Sequence, residues 1–314
     1  KSNVDVSALK ETRLVAERLT GNIENFLGAV EVPVGLAGPL LFHGQHARGS
    51  LYAPFATSEG ALVASATRGA SAITRSGGVI TRVLAQRMMR VPLFVLSSLE
   101  GAVRFASWIR QHADELREQT RTVSRHANLL SVEPMLLGKM VHVTFLYETG
   151  DAAGQNMTTS CTWQACQWLM AQVQRIRDIQ VESFLIESNV SGDKKVTFQS
   201  FTTGRGIRVV AECLLDHSVM KQVLKVSPEE LVSAYSMMCS GSIHVGTVGF
   251  NINIANVVAS IFAATGQDIA CVHECSLGQL SMQMVDQDVY ASMVLPSLIV
   301  GTVGGGTHLP AQQT

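Results

Sequence analysis

An acid and two amines follow one another in a short polar loop, at Asp193, Lys194 and Lys195. The loop spans residues 188–195, between two segments that are predicted to be strands, 181–186 and 196–201. A lysine amine whose pKa is tuned by its surroundings can polarise a carbonyl group or hold an anion. The same residues would also suit a hairpin turn that carries solvated charge. The loop by itself leaves both interpretations open.

Glu59 is a candidate for acid–base chemistry. It precedes a run of small residues, 61–66, that predicts a closely packed helix with Ser58 as its N-cap and Glu59 in its first turn. A helix-start acid needs no function. However, small and apolar neighbours would also desolvate the carboxyl group and raise its pKa towards that of a general acid. Both interpretations stay open.

Asp268 stands just past the predicted end of an apolar helix, 253–264, which Gly266 terminates. An unpaired anion is unfavourable there, because the C-terminal end of the helix dipole is negative and the surroundings are apolar. Asp268 therefore requires a cationic partner, and we expect this partner to be Lys194.

The elements that must position these residues form a mixed pattern of helices and strands. One block, from Pro92 to about Glu182, is self-contained and looks like an inserted α+β unit. Its predicted elements are a strand at 93–96, a helix at 99–117, a strand at 141–147 and a helix at 161–176. Outside it we predict a helix at 6–28, a rigid passage at 32–40, a strand at 207–211 and a helix that begins at Ser227-Pro228.

Two glycine-bearing loops could bring the backbone close to a ligand. Residues 150–157 connect a predicted strand to a helix, where backbone amides can receive a phosphate. Residues 301–307 form a glycine cluster after an apolar run. Neither loop has the G-x-G-x-x-G spacing of a Rossmann fingerprint, so each is a weak signal alone.

The composition argues against several classes of partner. With 46% hydrophobic residues and a formal charge of −1, the chain has no field suited to nucleic acid or a membrane surface. No apolar run is long enough to span a bilayer and no signal peptide is recognisable, so we expect a cytoplasmic protein. The six cysteines fit reduced core thiols. Residues 271–275 look like half of a metal cluster without a second half, so we expect no metal.

Six stretches, in the same order along the chain, resemble motifs of the hydroxymethylglutaryl-CoA reductase family. They are residues 33–40, 56–68, 151–157, 193–195, 266–268 and 301–307. Each is modest, but six in register are specific, and the sequences at 151–157 and 192–195 are similar to the prokaryotic side of the class I enzymes. The resemblance implies NADPH-dependent reduction of hydroxymethylglutaryl-CoA (HMG-CoA) to mevalonate and CoA by two hydride transfers, within the mevalonate route to isoprenoids.

The resemblance also implies an architecture. It is an α+β fold with a large mixed α/β substrate domain, residues 1–91 and 183–314, and a small inserted ferredoxin-like NADP-binding domain, residues 92–182. The family's active sites combine residues from two subunits, so we expect a homodimer or a dimer-based oligomer. The expected ligands are HMG-CoA, CoA and NADPH, with neither nucleic acid nor membrane as a partner.

Individual positions receive roles from the resemblance. It implies that Glu59 donates protons to the intermediates, that Lys194 stabilises the oxygen of the thioester and then of mevaldehyde, and that Asp268 links and tunes both. The positions for the hydroxymethylglutaryl portion are Arg90, Ser188, Asp193, Lys195 and Asn256, and those for CoA are Ser65, Arg68 and Lys225. The cofactor positions are Ser124 and Arg125 at the adenosine 2′-phosphate, then Asp151, Gly154, Asn156, Met157, Gly304 and Gly305 at the pyrophosphate and nicotinamide.

The chain departs from the family's pattern in three places. The C-terminal flap, whose histidine would protonate the departing CoA thiolate, is absent from this chain, and His308 is no substitute. Ala153 and Gln155 replace the aromatic and methionine residues of the animal cofactor loop. A substrate-site lysine of the family is missing near Met238. Two alternatives therefore stay open: a catalytically silent CoA-ester-binding module of the same fold, or a reductase of a related branched acyl-CoA.

Overall fold

The structure, a computed structural model, describes residues 7–312. Within that range the strands are β1 (Val34–His43), β2 (Arg48–Ala56), β3 (Ile80–Arg90), β4 (Leu93–Leu96), β5 (Asn128–Leu137), β6 (Met140–Glu148), β7 (Val181–Leu185), β8 (Gly206–Leu215), β9 (Gln279–Val285) and β10 (Asp288–Leu298). The α-helices are α1 (Leu62–Arg75), α2 (Leu99–Gln111), α3 (Ala113–Arg121), α4 (Gln155–Val173), α5 (Gln199–Thr202), α6 (His217–Val219), α7 (Pro228–His244), α8 (Ile254–Thr265) and α9 (Val272–Cys275).

Eight of these strands form one sheet, in the order β7-β4-β6-β3-β8-β10-β9 with β5 on the other edge of β6. The chain passes from β3 into β4 along one edge of β6. Met88–Arg90 pairs with one half of that edge and Leu93–Val95 with the other. The sheet is therefore continuous between the inserted block and the rest of the chain.

The inserted block has its own strand order and its own core. Its strands lie antiparallel in the order β7-β4-β6-β5, with α2 and α4 as the two connecting helices. This is the split βαβ arrangement of ferredoxin-like folds. The buried apolar core of the block comes entirely from residues between Phe94 and Ile179. The predicted α+β class is confirmed, while the domain boundaries at 91/92 and 182/183 stay a prediction.

Helix α8 positions the residues that follow it. On one side, Val257 and Ile261 pack against a cluster that joins the β1–β2 hairpin to α1. On the neighbouring side, Val258 and Phe262 pack against a cluster that includes Met88 of β3. These two apolar stripes, each spaced by four residues, hold α8 between the hairpin and the main sheet. Its end at Thr265 is therefore rigidly placed.

Three predicted elements differ in the structure. Residues 7–28 form short 3-10 turns at Ser7–Lys10 and Ala16–Arg18 in place of a helix, while Lys1–Val6 lie outside the described residues. Leu19 is the only fully buried apolar residue of that segment, and a helix that buries so little apolar surface is marginal. Residues 196–201 pair with no strand and instead enter the single turn α5.

The third difference is a break in the predicted helix 99–117. His112 separates α2 from α3, because its Nδ1 bonds the carbonyl of Trp108 at 2.8 Å and its ring stacks on the Trp108 ring. Helix α4 begins at Gln155, six residues before the predicted start at 161, and ends at Val173 rather than at 176. Two other boundaries are as expected. Gly266 caps α8 in the left-handed conformation, and Ser227 begins α7.

No helix among residues 7–312 combines the length and the apolar composition needed to cross a membrane.

Candidate active site

Lys194 and Asp268 form an ion pair. Nζ of Lys194 lies 3.0 Å from Oδ2 of Asp268, which confirms the predicted pairing. The hydrogen bond to Asp268 is the main cause that raises the pKa of Lys194, and partial burial opposes it. Burial alone would raise the pKa of Asp268, but the hydrogen bond and charge of Lys194 outweigh burial and lower it. Both groups are therefore charged at neutral pH, and the ammonium is held in a defined place.

The backbone of Lys194 is unusual. Its φ of +55° lies in the left-handed region, where a residue with a Cβ is seldom found. The amide of Lys195 donates to the carbonyl of Gly192 at 3.0 Å and closes the turn. The amide of Lys194 donates to Oε1 of Glu274 at 2.9 Å.

A network of charged side chains holds this turn in place. Arg205 bonds Glu274 through Nη2 at 2.6 Å and through Nε at 3.0 Å, and its Nη2 also lies 2.6 Å from Oδ1 of Asp193. Arg90 bonds Glu187 at 2.9 Å and Asp193 at 3.4 Å. Asp193 thus joins two arginines, and a connected network of opposite charges stabilises the turn.

The sequence did not single out three members of this network, Glu187, Arg205 and Glu274. Two signals could have found them. Arg205 stands between two glycines directly before a strand, and Glu274 lies inside the apparent metal cluster at 271–275.

A cleft of about 760 Å³ opens in front of the ion pair. Lys194 and Asp268 line it together with the two glycine-bearing loops. The residues predicted to bind the cofactor that line the cleft are Gly154, Asn156, Met157, Gly304 and Gly305. Its volume suits a small-molecule or cofactor ligand. Residues far apart in sequence therefore face one space.

The two glycine-bearing loops are joined to each other and to the ion pair. The amide of Thr302 donates to the carbonyl of Asp151 at 2.8 Å. The side chain of Gln267, next to Asp268, both donates to and accepts from the backbone of Gly301 at 3.0 Å. A Cβ on Gly301 would lie 2.5 Å from the backbone nitrogen of Ala153, so only glycine fits there.

Helix α4 begins at this cleft without a side-chain cap. Gly154 precedes it with φ +83°, and a Cβ there would lie 2.5 Å from Cγ2 of Thr149. The first amides of α4 therefore face the cleft without a capping acceptor, which suits an anionic group such as a pyrophosphate.

A thiol connects this helix to the carboxylate of Asp268. Nε2 of Gln155 donates to Sγ of Cys271 at 3.0 Å, and that Sγ lies 3.6 Å from Oδ2 of Asp268. Burial raises the pKa of Cys271 to about 12, so the thiol keeps its proton and can donate to the carboxylate.

Comparison with known proteins identifies the family. The model of the family described as hydroxymethylglutaryl-coenzyme A reductase matches residues 1–314. The 3-hydroxy-3-methylglutaryl-coenzyme A reductase of Aeropyrum pernix is 41% identical over 315 residues, covering 99% of this chain and 74% of that protein. The protein of the same name from Methanocaldococcus jannaschii is 37% identical, covering 93% of this chain and 72% of that protein. The chain belongs to the hydroxymethylglutaryl-CoA reductase family.

The fold of this family member also resembles solved structures. The class II reductase of Streptococcus pneumoniae, in a structure described as bound to NADPH in open conformations, superposes with a TM-score of 0.72 at 20% identity. The match covers 93% of this chain and 78% of that one. At this identity the likeness shows a shared fold.

Glu59, the proton donor that the family resemblance implies, lies away from the ion pair. Nδ2 of Asn256 donates to its Oε2 at 2.6 Å, near the start of α8. Within residues 7–312 no hydrogen bond or ion pair joins Glu59 to Lys194 or Asp268. Helix α8 has 12 residues and is about 18 Å long, and Asp268 follows its far end.

Two predictions about Glu59 are wrong for the single chain. Helix α1 begins at Leu62, and Ala61 is its N-cap in the left-handed conformation, so Ser58 is not a cap and Glu59 precedes the first turn. Glu59 is exposed rather than desolvated. Its backbone amide instead bonds the hydroxyl of Thr57 at 3.0 Å.

The remaining positions that the family resemblance implies fall into two groups. Arg90 and Ser188 are neighbours, because the amide of Ser188 donates to the carbonyl of Val91 at 2.9 Å. Arg90 Nε and Ser188 Oγ are buried and form no hydrogen bond with the described residues. Nζ of Lys195 bonds the carbonyl of Asp193 at 3.0 Å.

The second group is exposed except for Ser124, which is half-buried. Ser65 and Arg68 lie one turn apart on the open face of α1, and Lys225 follows a turn that packs against the other end of that helix. In the inserted block, the hydroxyl of Ser124 lies 3.1 Å from Sδ of Met157, and Arg125 is exposed beside it.

The residues of the apparent metal cluster have other partners. Cys275 Sγ accepts a hydrogen bond from the amide of Ile299 at 3.1 Å, while Cys271 bonds Gln155 and Glu274 bonds Arg205. In the part of the chain that the structure describes, the one group that could hold a metal ion is Asp216, His217 and Asp288. Asp216 in that group already caps α6.

Proposed function

We propose that this chain reduces HMG-CoA to mevalonate and CoA with NADPH, at the cleft in front of Lys194 and Asp268. The observation that supports this most directly is convergence. Lys194, Asp268 and the two glycine-bearing loops, which lie in four separate parts of the sequence, line one cleft. A thioester carbonyl beside Lys194 would then lie close to a nicotinamide held by the loops.

The residues fit the proposed cofactor. A pyrophosphate would lie against the uncapped start of α4, next to the close approach of Gly301 to Ala153. Ser124 and the exposed guanidinium of Arg125 suit a 2′-phosphate, which favours NADPH over NADH. When bound, NADPH supplies the hydride in both reductions.

Lys194 provides electrostatic stabilisation in the proposed reaction. Hydride addition to a thioester carbonyl places negative charge on oxygen, and an ammonium fixed beside that oxygen lowers the barrier. Asp268 keeps the ammonium protonated and oriented. In balance, one thioester, two NADPH and two protons yield one primary alcohol, CoA thiol and two NADP⁺, and Lys194 meets the developing oxyanion in both reductions.

Arg90 and Ser188 would hold the far end of the substrate. A buried polar atom without a hydrogen bond is unusual, and here two such atoms, Arg90 Nε and Ser188 Oγ, belong to neighbouring residues. The terminal carboxylate and the hydroxyl of a hydroxymethylglutaryl group would satisfy both. Lys195 and Asp193 would complete this contact, and Ser65, Arg68 and Lys225 would bind CoA along α1.

The proposal extends to a homodimer with shared sites and to an inserted cofactor domain at residues 92–182. Glu59 and the Lys194–Asp268 pair lie at opposite ends of α8, so Glu59 from a second copy would complete the cleft. The β1–β2 hairpin, close to Glu59 in sequence, exposes the apolar side chains of Val34, Leu36 and Tyr52, which a partner would cover.

Following nicotinamide absorbance with HMG-CoA and NADPH tests the activity. We expect steady oxidation by the wild type, almost complete loss in Lys194→Ala with HMG-CoA still bound, and full activity in Lys221→Ala, which removes an exposed lysine elsewhere. Binding of HMG-CoA by the wild type without any oxidation between about pH 6 and 9 would instead show a CoA-ester-binding module.

Mixing two inactive variants tests the shared site. Glu59→Gln and Lys194→Ala, once dissociated and reassociated together, should regain about one quarter of wild-type activity, because half of the dimers would then carry one intact site of two. Activity that stays at the level of the separate variants would show that each site draws both residues from one chain.

A further inference from the structure

A buried pair of opposite charges lies under the loop that carries Lys194. The side chains of Arg205 and Glu274 are each 1% exposed and bind each other at two points, 2.6 and 3.0 Å apart. A two-point pair fixes both planar groups relative to one another. Arg205 precedes β8 and Glu274 lies in α9, so the pair ties the main sheet to the segment that follows Asp268.

Both members of the pair also bind the loop. Oε1 of Glu274 accepts a hydrogen bond from the amide of Lys194 at 2.9 Å, and Nη2 of Arg205 bonds Oδ1 of Asp193 at 2.6 Å. The hydroxyl of Ser297 donates to the carbonyl of Arg205 at 2.7 Å and holds the arginine backbone in turn. Charged groups almost free of solvent therefore hold both residues of the peptide bond that leads into Lys194.

Lys194 needs this support. A non-glycine residue at φ +55° is strained and persists only when its surroundings determine the conformation. The same backbone conformation sets the direction in which the side chain leaves the loop. If the turn relaxed, the ammonium would leave the position 3.0 Å from Asp268.

We propose that Arg205 and Glu274 are positioning residues for the reduction, because they hold the left-handed backbone of Lys194 so that its ammonium meets Asp268 at the cleft. Neither residue is among those that line the cleft in the described part of the chain. Their effect on the reaction therefore passes through Lys194. The test of this inference by activity rests on the proposed function, whereas the test by chemical labelling of Lys194 does not.

Substitutions at Glu274 test the inference first. Glu274→Leu removes the acceptor for the Lys194 amide, and we expect kcat to fall by about 100-fold, the size of effect that a displacement of about 1 Å produces. KM for HMG-CoA should change much less, since Arg90, Ser188 and Lys195 remain. Glu274→Gln keeps an oxygen for the Lys194 amide and should retain more of kcat than Glu274→Leu.

A double variant separates positioning from stability. Replacing a buried ion pair with apolar side chains of similar size is often neutral or stabilising, so Arg205→Met/Glu274→Leu should recover the Tm that Glu274→Leu loses. We expect its kcat to stay about 100-fold below wild type, because the amide of Lys194 still lacks its acceptor. Recovery of kcat together with Tm would show that the pair is only structural and would overturn the inference.

Leu215→Ala is the matched control for lost stability. Leu215 is buried in a separate apolar cluster at the other end of β8, about 30 Å from Arg205 along the strand. This variant should lower Tm without lowering kcat when all rates are measured below the Tm of the least stable variant. An equal fall of kcat in Leu215→Ala would mean that instability alone explains the effect.

The labelling rate of Lys194 gives a readout that needs no activity. Acetic anhydride acetylates deprotonated amines, and mass spectrometry of peptides reports Lys194 and the exposed Lys221 in the same sample. At about pH 9 we expect Lys194 to react several-fold faster in Glu274→Leu than in wild type, relative to Lys221, because an amine displaced from Asp268 is deprotonated more readily. Unchanged labelling would overturn the inference even in an active reductase. Faster labelling of Lys194 in a protein without reductase activity would leave the positioning role standing and refute the proposed function.

Discussion

The ammonium of Lys194 lies 3.0 Å from Oδ2 of Asp268, and the two residues belong to different parts of the fold. Lys194 comes from a strained polar turn and Asp268 from the segment after an apolar helix. The contact holds the charged ammonium of Lys194 in the lining of a cleft that the glycine-bearing loops also line. Much of the chemistry proposed for this protein depends on that contact.

The pH dependence of the reaction should follow from this pair. The pKa of Lys194 is raised, so the pair is complete below the ordinary lysine range and is lost as pH rises through the raised value. The pKa of Asp268 is lowered, so the pair is complete above the ordinary aspartate range and is lost as pH falls through the lowered value. Between about pH 5 and 9 both groups stay charged.

Asp268→Asn should therefore move the alkaline limb of the kcat profile to lower pH. Removal of the carboxylate removes the main cause of the raised lysine pKa. Steady-state rates across the pH range measure the shift. Asp178→Asn, which removes an exposed carboxylate paired with Arg104, should leave the profile unchanged. Identical profiles for Asp268→Asn and wild type would contradict the prediction.

The thiol of Cys271 should orient Asp268. Cys271→Ala removes a weak donor to the carboxylate, and we expect kcat to fall by about 2- to 10-fold, the worth of one neutral hydrogen bond. Cys271→Ser keeps a donor and should lose less. Rates measured on both variants at one pH give the comparison, and a Cys271→Ala variant faster than Cys271→Ser would refute this role.

Gly301→Ala should weaken cofactor binding selectively. Its Cβ would lie 2.5 Å from the backbone nitrogen of Ala153, so the two glycine-bearing loops must separate. We expect KM for NADPH to rise by at least tenfold, the equivalent of about 1.4 kcal/mol, with KM for HMG-CoA much less affected. Gly241→Ala is the control, because a Cβ there meets nothing within 4 Å in α7. Equal changes in both KM values would argue against a specific cofactor contact.

Ser227 should contribute to stability as an N-cap. Its hydroxyl accepts from the amide of Glu230 at 3.2 Å, and the Glu230 carboxylate accepts from the amide of Ser227 at 2.9 Å. Ser227→Ala should lower the free energy of unfolding by about 1 kcal/mol in urea titrations. Ser233→Ala, on the exposed face of α7, should leave it unchanged or slightly higher. An unchanged midpoint for Ser227→Ala would show that the capping box contributes little.

Local patterns were enough to predict much of the fold. The strand–helix alternation of the inserted block, the helix start at Ser227-Pro228 and the end of α8 at Gly266 all depend on residues close in sequence. The pairing of Asp268 with Lys194 was also predictable, since an anion after an apolar helix needs a cation and few lysines are available. The helix predicted at 6–28 failed, because amphipathic spacing does not show whether a segment has a surface to pack against.

Other features depended on contacts between distant residues. The sequence alone was enough to select the loop at 188–195, and the family motifs were enough to predict roles for its two lysines. Only the tertiary structure decided that Arg205 and Glu274 support the turn, that Cys271 faces Asp268, and that Glu59 lies near the start of α8, at the opposite end from Asp268. The physical reason is that burial and hydrogen-bond partners are set by packing between elements. A sequence records which groups can ionise or bond, and the fold decides which of them meet.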